Sequence, residues 1–175
     1  MNATSQARLA DIHPILRTRA YQFEQLLGFE IEIVQGRRSF PLQAAYYAQG
    51  RALLDQVNSL RAGVGLAPIT AAENKVVTRA QPGYGWHEYA LAFDAAPIDK
   101  GVIDWNVEHP TWKAMLAKAP SVGLAEGAQF RTFPDNPHFF PHEIPASPDD
   151  ETRYVYREAG MEEVWQELAR LYGLK

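Results

Sequence analysis

The chain has 175 residues, with 21 aspartate and glutamate residues against 17 lysine and arginine residues, and it contains no cysteine. The formal net charge of −4 argues against a nucleic-acid-binding protein, because phosphate contacts require a basic face. The lack of cysteine excludes disulfides, thiolate zinc sites and a cysteine nucleophile. The length suits one domain with its own core, and we expect residues 1–175 to form it.

The first third of the sequence predicts two helices separated by a strand. Residues 7–28 carry apolar side chains at intervals of three and four, which predicts a helix, and Pro14 marks a first turn or a break in it. Residues 29–36 alternate between apolar and polar side chains and predict a strand. Residues 40–63 predict a second helix, with Pro41 in its first turn.

The rest of the chain alternates between short strands, loops and helices, which predicts an α+β fold. In the last predicted helix, Val164, Leu168 and Leu171 form one apolar stripe. In chain order we predict a short strand running into a loop within 74–86, a strand at 90–97, a helix at 110–120, a loop and strand at 127–140, a loop at 141–153 and a helix at 161–175.

His87 and Asp94 enclose a short apolar run and lie seven positions apart. Side chains alternate faces along a strand, so an odd separation puts them on opposite faces of one continuous strand. The glycines and proline within 81–86 allow the chain to turn, which places His87 at the junction of loop and strand. Ala90, Ala92 and Asp94 then share one face, where small side chains leave room for a site.

A catalytic zinc site takes three protein ligands, so a further residue is needed, and His13, His109, His138 and His142 are the candidates. His138 stands out because prolines stiffen its surroundings and Asp135 precedes it by three residues. A carboxylate beside a metal-bound water is what general-base chemistry requires. Each of these residues also has an ordinary structural interpretation, as a surface histidine, a cap or a turn residue.

Two stretches together resemble a known family. "HEYALAFD" and "FPDNPHF" are similar to the zinc peptidases of the D-alanyl-D-alanine carboxypeptidase and L-alanyl-D-glutamate endopeptidase family, which includes many phage endolysins. Its pattern is a histidine, six residues and an aspartate, and later an acid, two residues and a final histidine. His87, Asp94, Asp135 and His138 occupy those positions here.

Upstream, "RRSFPLQAAYYAQGR" is similar to the family's Arg-Ser-x-x-x-Gln block, which maps onto Arg38, Ser39 and Gln43. The matched blocks run in order over residues 34–139, and a helical extension follows at 154–175. The chain departs from the family pattern at four positions, without losing a ligand or the acid. The departures are Gly85 for serine, Ala90 for glycine, Glu126 for tryptophan and Ala128 for glycine.

The resemblance implies a hedgehog/D,D-peptidase-like fold, in which a small antiparallel sheet is flanked by helices. It also implies a Zn²⁺ ion held by His87, Asp94 and His138, with Asp135 as the general base. Arg38 would stabilise the oxyanion or bind a substrate carboxylate, since guanidinium geometry suits both. The resemblance further implies that Ser39 and Gln43 position the substrate by hydrogen bonds.

The function implied is that of a zinc metallopeptidase hydrolysing the L-alanyl–D-glutamate bond of peptidoglycan stem peptides. A D-alanyl-D-alanine carboxypeptidase or dipeptidase, and a non-catalytic wall-binding domain with a structural metal, are the alternatives. We expect a monomer that binds stem peptides, without nucleic acid and without a membrane span. The sequence lacks a signal-peptide pattern, so we expect synthesis in the cytoplasm and action on the cell wall after release.

Overall fold

A computed structural model describes residues 1–174. Within that range the chain forms seven α-helices and one small antiparallel sheet, so the predicted fold class is confirmed. The helices are α1 Ala3–Leu9, α2 Pro14–Leu27, α3 Phe40–Ala48, α4 Leu54–Gly63, α5 Pro110–Lys118, α6 Asp150–Ala159 and α7 Met161–Tyr172. The strands are β1 Ile31–Gln35, β2 Phe93–Asp99, β3 Val102–Ile103, β4 Leu124–Glu126 and β5 His138–Pro141.

The sheet has the strand order β1-β2-β5-β4, and β3 forms a hairpin with β2. Every pair is antiparallel, so β2 lies at the centre with β1 on one side and β5 on the other. Since β5 is separated from β2 along the chain, closing this sheet brings together residues more than forty positions apart.

Two apolar clusters pack around the sheet. The first joins one face of the sheet to α1, α2 and α5, with Phe23, Phe93 and Phe139 at its centre. The second lies beneath the segment 86–92 and is closed by the C-terminal helices α6 and α7. Trp165 on α7 donates from its indole Nε1 to the carbonyl oxygen of Tyr89 at 2.9 Å, which ties the C-terminal extension to that segment.

Two predicted helices are each broken in two. In the first, His13 caps α2 and Pro14 is its first residue, because proline lacks the N–H that a continuous helix needs. In the second, the chain turns between α3 and α4 at Gly50, whose φ is +71°. An added Cβ at Gly50 would lie 2.4 Å from the backbone nitrogen of Val76, so another segment passes too closely for a side chain.

Four further predictions are wrong. The segment 74–86 contains no strand, and the strand predicted at 90–97 begins only at Phe93. The loop predicted at 141–153 gives way to α6, because Asp149 accepts a hydrogen bond from the backbone N–H of Thr152 and caps the helix. Leu171 is 56% exposed, so the apolar stripe of α7 consists of Val164 and Leu168 without it. The sequence analysis also missed the short strands β3 and β4.

None of the described helices combines the length and the apolar character needed to cross a membrane.

Candidate metal centre and cleft

The pairing of β2 with β5 places Asp94 directly opposite His138. In the adjacent pair, Phe93 and Phe139 face each other, and both are buried in the first apolar cluster. Because side chains alternate along each strand, burial of the phenylalanines on one face directs Asp94 and His138 to the other. A register irregularity in β1 then brings Gln35 opposite Asp94 on its second side.

His87 approaches the same point from a short 3-10 helix, Trp86–Tyr89. Trp86 and Tyr89 are buried in the second apolar cluster, which fixes the helix on both sides of the histidine. Ala90 ends this helix with a φ of 57°, and the strand starts three residues later. Ala90 and Ala92 are therefore buried core residues outside the strand, and the prediction that they share a strand face with Asp94 is wrong.

The structure brings one nitrogen or oxygen atom from each of the three residues into a tight triangle. His87 Nε2 lies 3.0 Å from Asp94 Oδ1 and 3.1 Å from His138 Nδ1, and His138 Nδ1 lies 3.2 Å from Asp94 Oδ1. Four-coordinate zinc with bonds of about 2.0–2.1 Å separates its ligand atoms by about 3.3 Å. The observed triangle is within a few tenths of an ångström of that size, so the three residues fit a metal ion.

Neighbouring groups orient the histidine donors. His87 Nδ1 lies 2.8 Å from the carbonyl oxygen of Gly36, which places the ring proton on Nδ1 and leaves the Nε2 lone pair facing the triangle. The rings of Phe130 and Phe140 lie 5.8 and 5.7 Å from the ring of His138, centroid to centroid. This packing leaves His138 little freedom to rotate away from Asp94.

The electrostatics of the triangle also suit metal binding. Burial lowers the pKa of His87, with the positive charge of Arg38 acting in the same direction, while Asp94 opposes them. Burial alone would raise the pKa of Asp94, but its contacts with His87 and His138 outweigh burial and hold this pKa well below its ordinary range. A neutral imidazole and an ionised carboxylate are the states that bind metals.

Arg38 lies beside the triangle and is held by amide side chains. Its Nη1 donates to Gln43 Oε1 at 2.8 Å and its Nη2 donates to Gln35 Oε1 at 3.2 Å. Nη2 also lies 3.7 Å from Asp94 Oδ2. The Nε atom of Arg38 is buried without a hydrogen-bond partner among the described residues, so one donor of the guanidinium group is still free.

The two residues predicted to position the substrate lie in different settings. Gln43 is buried and lines a recess beside the triangle. Its Oε1 accepts a hydrogen bond from Arg38, and its Nε2 donates to the carbonyl oxygen of Ala80 at 2.7 Å. Ser39 caps α3, since its hydroxyl accepts from the backbone N–H of Leu42 at 3.3 Å, and it does not line the cleft. The structure therefore brings Gln43 to the site and leaves Ser39 at a helix terminus.

Asp135 lies on the loop that leads into β5 and lines the same cleft as Arg38 and Asp94. Its backbone is fixed at both ends, because its N–H donates to Gly127 and its carbonyl oxygen accepts from the N–H of His138. The carboxylate itself accepts no hydrogen bond from another described residue. Burial raises its pKa, with the negative charge of Asp94 acting in the same direction.

A cleft of about 510 Å³ opens over these groups and continues into a smaller recess of about 110 Å³. His87 and His138 line the recess, and Asp135 lines both parts. Arg79 and Arg131, which also line the outer cleft, were not predicted as site residues from the sequence. Glu88, next to His87 along the chain, is 1% exposed and accepts hydrogen bonds from the backbone N–H groups of Gly83 and Gly85.

Known proteins resemble both the sequence and the fold. No protein-family model matches the chain. The peptidoglycan L-alanyl-D-glutamate endopeptidase CwlK of Bacillus subtilis is 28% identical, over 74% of this chain and 72% of that protein. The crystal structure of the Serratia marcescens L-Ala D-Glu endopeptidase ChiX superposes with a TM-score of 0.50 and 19% identity, covering 81% of this chain and 88% of that one.

The vancomycin-resistance D,D-dipeptidase VanXYg superposes with a TM-score of 0.51 and 17% identity, covering 91% of this chain and 60% of that one. The predicted family resemblance is confirmed.

Two departures lie where zinc peptidases usually carry glycine. Ala90 replaces the glycine usual in zinc peptidases at a position in the left-handed region, where glycine is favoured because it lacks a Cβ. Gly127 and Ala128 stand where these peptidases carry two glycines, and only the first is indispensable here. An added Cβ at Gly127 would lie 2.7 Å from the carbonyl oxygen of Asp135 and 2.9 Å from the Cβ of His138.

Gly127→Ala should therefore displace the loop that carries Asp135 and His138. We expect the free energy of unfolding to fall by about 1–3 kcal/mol, as for other side chains forced into packed space. The bound zinc per chain should fall as well. Thermal unfolding and metal analysis measure both effects. Ala128→Gly is the matched control and should retain its metal, and equal metal content and stability in the two variants would contradict the close approach at Gly127.

Proposed function

We propose that this chain is a zinc-dependent peptidoglycan peptidase, similar to phage endolysins, that hydrolyses the L-alanyl–D-glutamate bond of stem peptides. The observation that carries this proposal is the Asp135 carboxylate. It lines the cleft next to three converged metal donors yet accepts no hydrogen bond from any described residue. A closed structural metal site has no use for such a group.

The donor set favours zinc. His87, Asp94 and His138 supply two imidazole nitrogens and one carboxylate oxygen, a combination typical of catalytic zinc sites that keep a fourth position open. When bound, zinc supplies a Lewis acid that polarises a carbonyl group and makes water more acidic.

In the proposed reaction, Asp135 accepts a proton from the attacking water and later delivers it to the leaving amine. Its raised pKa suits this exchange, because a stronger base accepts the proton more readily. Arg38 lines the cleft beside the triangle, and its guanidinium group stabilises the negative charge that develops on the scissile carbonyl oxygen. Gln43 acts by holding the Arg38 guanidinium, and Ser39 acts by capping the helix that carries Gln43.

The similarity to CwlK supports the L-alanyl–D-glutamate bond as the target. A D-alanyl-D-alanine carboxypeptidase or dipeptidase would use the same three donors and the same acid, and the likeness to VanXYg extends to the fold alone. The bond cleaved would then lie at the opposite end of the stem peptide. In either case the place of action is the cell wall and the partner is the stem peptide, and we expect the chain to act there as a monomer.

Digestion of intact peptidoglycan tests which bond is cleaved. We expect new amino-terminal D-glutamate on the released peptides, with L-alanine retained on the glycan strand. Mass spectrometry of the products and labelling of new amino groups measure this outcome. Release of terminal D-alanine would establish the carboxypeptidase alternative, and no release of either product by the zinc-loaded protein would establish the non-catalytic alternative.

Asp135→Asn tests the general base separately from the metal. The change keeps the side-chain shape and removes the base, and general-base catalysis commonly contributes about 10²–10⁴-fold. We expect activity to fall at least about a hundredfold, while zinc content and thermal stability stay near wild type. The wild-type rate should decline at acidic pH as Asp135 protonates, and this decline should be absent from the residual activity of the variant.

Asp99→Asn is the control for this experiment, because Asp99 is an exposed aspartate at the end of β2 outside the cleft. It should leave the activity unchanged. An Asp135→Asn variant that keeps both its zinc and most of its activity would exclude Asp135 as the base.

A further inference from the structure

The outer cleft contains more positive charge than the proposed reaction uses. Three arginines line it, Arg38, Arg79 and Arg131, whereas the chain as a whole carries a net charge of −4. Arg38 is already engaged beside Asp94. Arg79 and Arg131 have no role in the chemistry described above. The two carboxylates that also line the cleft, Asp94 and Asp135, belong to the metal centre and its proposed base.

Arg79 is held across the cleft. It stands on the segment that precedes the 3-10 helix of His87, and its Nη1 donates to the carbonyl oxygen of Thr132 on the opposite loop at 3.0 Å. Its guanidinium carbon lies 5.1 Å from the centre of the Phe133 ring. These contacts fix the guanidinium group in position but leave it without an anionic partner.

Arg131 stands on that opposite loop, next to Phe130, whose ring packs against His138. Its side chain is exposed and forms no hydrogen bond or ion pair with another residue in the described part of the chain. Arg79 likewise forms no ion pair with a described residue. The arginines that do pair with a carboxylate are Arg8, Arg19, Arg38, Arg153, Arg157 and Arg170.

The chemistry of these two groups defines the ligand. A guanidinium group offers a planar set of N–H donors that matches a carboxylate in a bidentate manner. Two unpaired guanidinium groups in one cleft therefore suit an anionic group of the bound substrate. In a peptide substrate that group is a carboxylate.

We propose that Arg79 and Arg131 form a subsite for a free carboxylate of the stem peptide, so that they determine which stem peptides are cleaved efficiently. This inference rests on the proposed function. Apart from its C-terminal carboxylate, a stem peptide has two carboxylates beyond L-alanine, and these two are the candidates. One is the α-carboxylate of D-glutamate, and the other is the side-chain carboxylate of a diamino dicarboxylic acid such as meso-diaminopimelate at the third position.

Three soluble muropeptides distinguish the two sources. The reference carries L-alanine, D-glutamate and meso-diaminopimelate. The second replaces D-glutamate with D-isoglutamine, and the third replaces diaminopimelate with lysine, so each lacks one of the two carboxylates. All three keep the bond after L-alanine, and its cleavage is followed by mass spectrometry.

The zinc-loaded wild-type protein should cleave one of the two altered substrates about tenfold less efficiently in kcat/KM than the reference, as expected for loss of a charge-assisted hydrogen bond. Arg131→Gln, and more strongly the Arg79→Gln/Arg131→Gln double variant, should lower kcat/KM for the reference by a similar factor. Neither should change the rate for the substrate that lacks the recognised carboxylate. The loss should appear mainly in KM, because the contact is remote from the reacting atoms.

Arg170→Gln is the control, because it removes the same charge at an exposed arginine of α7. Arg170 pairs with Glu167. It should leave all three rates unchanged. Arg131→Gln breaks no contact with a described residue, so it tests the subsite even if Arg79→Gln disturbs the loop at Thr132.

Equal kcat/KM of the wild-type protein for all three substrates would overturn the subsite while leaving the proposed function intact. An equal loss of kcat/KM by the arginine variants on all three substrates would have the same consequence. Failure to cleave the bond after L-alanine in any of them would overturn the proposed bond specificity, and the subsite with it.

Discussion

The antiparallel pairing of β2 with β5 is the constraint on which the site depends. It sets Asp94 opposite His138, and the burial of Phe93 and Phe139 fixes the register, because a slip of either strand by one residue would turn its phenylalanine toward the cleft. The side chains that hold the sheet together and those that form the site thus alternate along the same two strands. The pairing of β2 with β5 therefore sets both the stability of the sheet and the geometry of the site.

The third donor depends on a different part of the molecule. His87 stands on a 3-10 helix whose flanking residues, Trp86 and Tyr89, belong to the second apolar cluster. Helix α7 supports this helix through the hydrogen bond from Trp165 to the carbonyl oxygen of Tyr89. The C-terminal extension therefore belongs to the scaffold of the site. The carbonyl oxygen of Gly36, just after β1, accepts a hydrogen bond from Nδ1–H of His87 and so turns the Nε2 of this residue toward the triangle.

The sequence predicted the fold class and the residues that converge, while it misplaced the backbone that carries them. The spacing of His87 and Asp94 suggested one strand with a turn before it, because short apolar runs do not distinguish a strand from a buried 3-10 turn. Ala90, in a left-handed conformation, separates the 3-10 helix of His87 from the strand of Asp94. The sequence signals this conformation only where the residue is glycine or asparagine. The bend at Gly50 was missed because the segment around Val76, which excludes a side chain there, is distant in sequence.

The outer cleft was equally hidden from the sequence. Arg79 and Arg131 lie on segments with no regular structure, and only the folded chain shows that the first reaches Thr132 across the cleft. Arg38, Gln43 and Asp135 were predicted as site residues because they match the family pattern. The structure places all three in the walls of the cleft or its recess, whereas Ser39, which matches the same pattern, caps a helix.

The central claim is that His87, Asp94 and His138 hold one zinc ion. Anomalous diffraction from crystals of the zinc-loaded protein, collected on both sides of the zinc absorption edge, tests it most directly. The account predicts one strong peak per chain, bonded to His87 Nε2, Asp94 Oδ1 and His138 Nδ1 at about 2.0–2.2 Å. A peak at other residues, such as Asp104 and His109, or no peak at the triangle in fully loaded crystals, would contradict it.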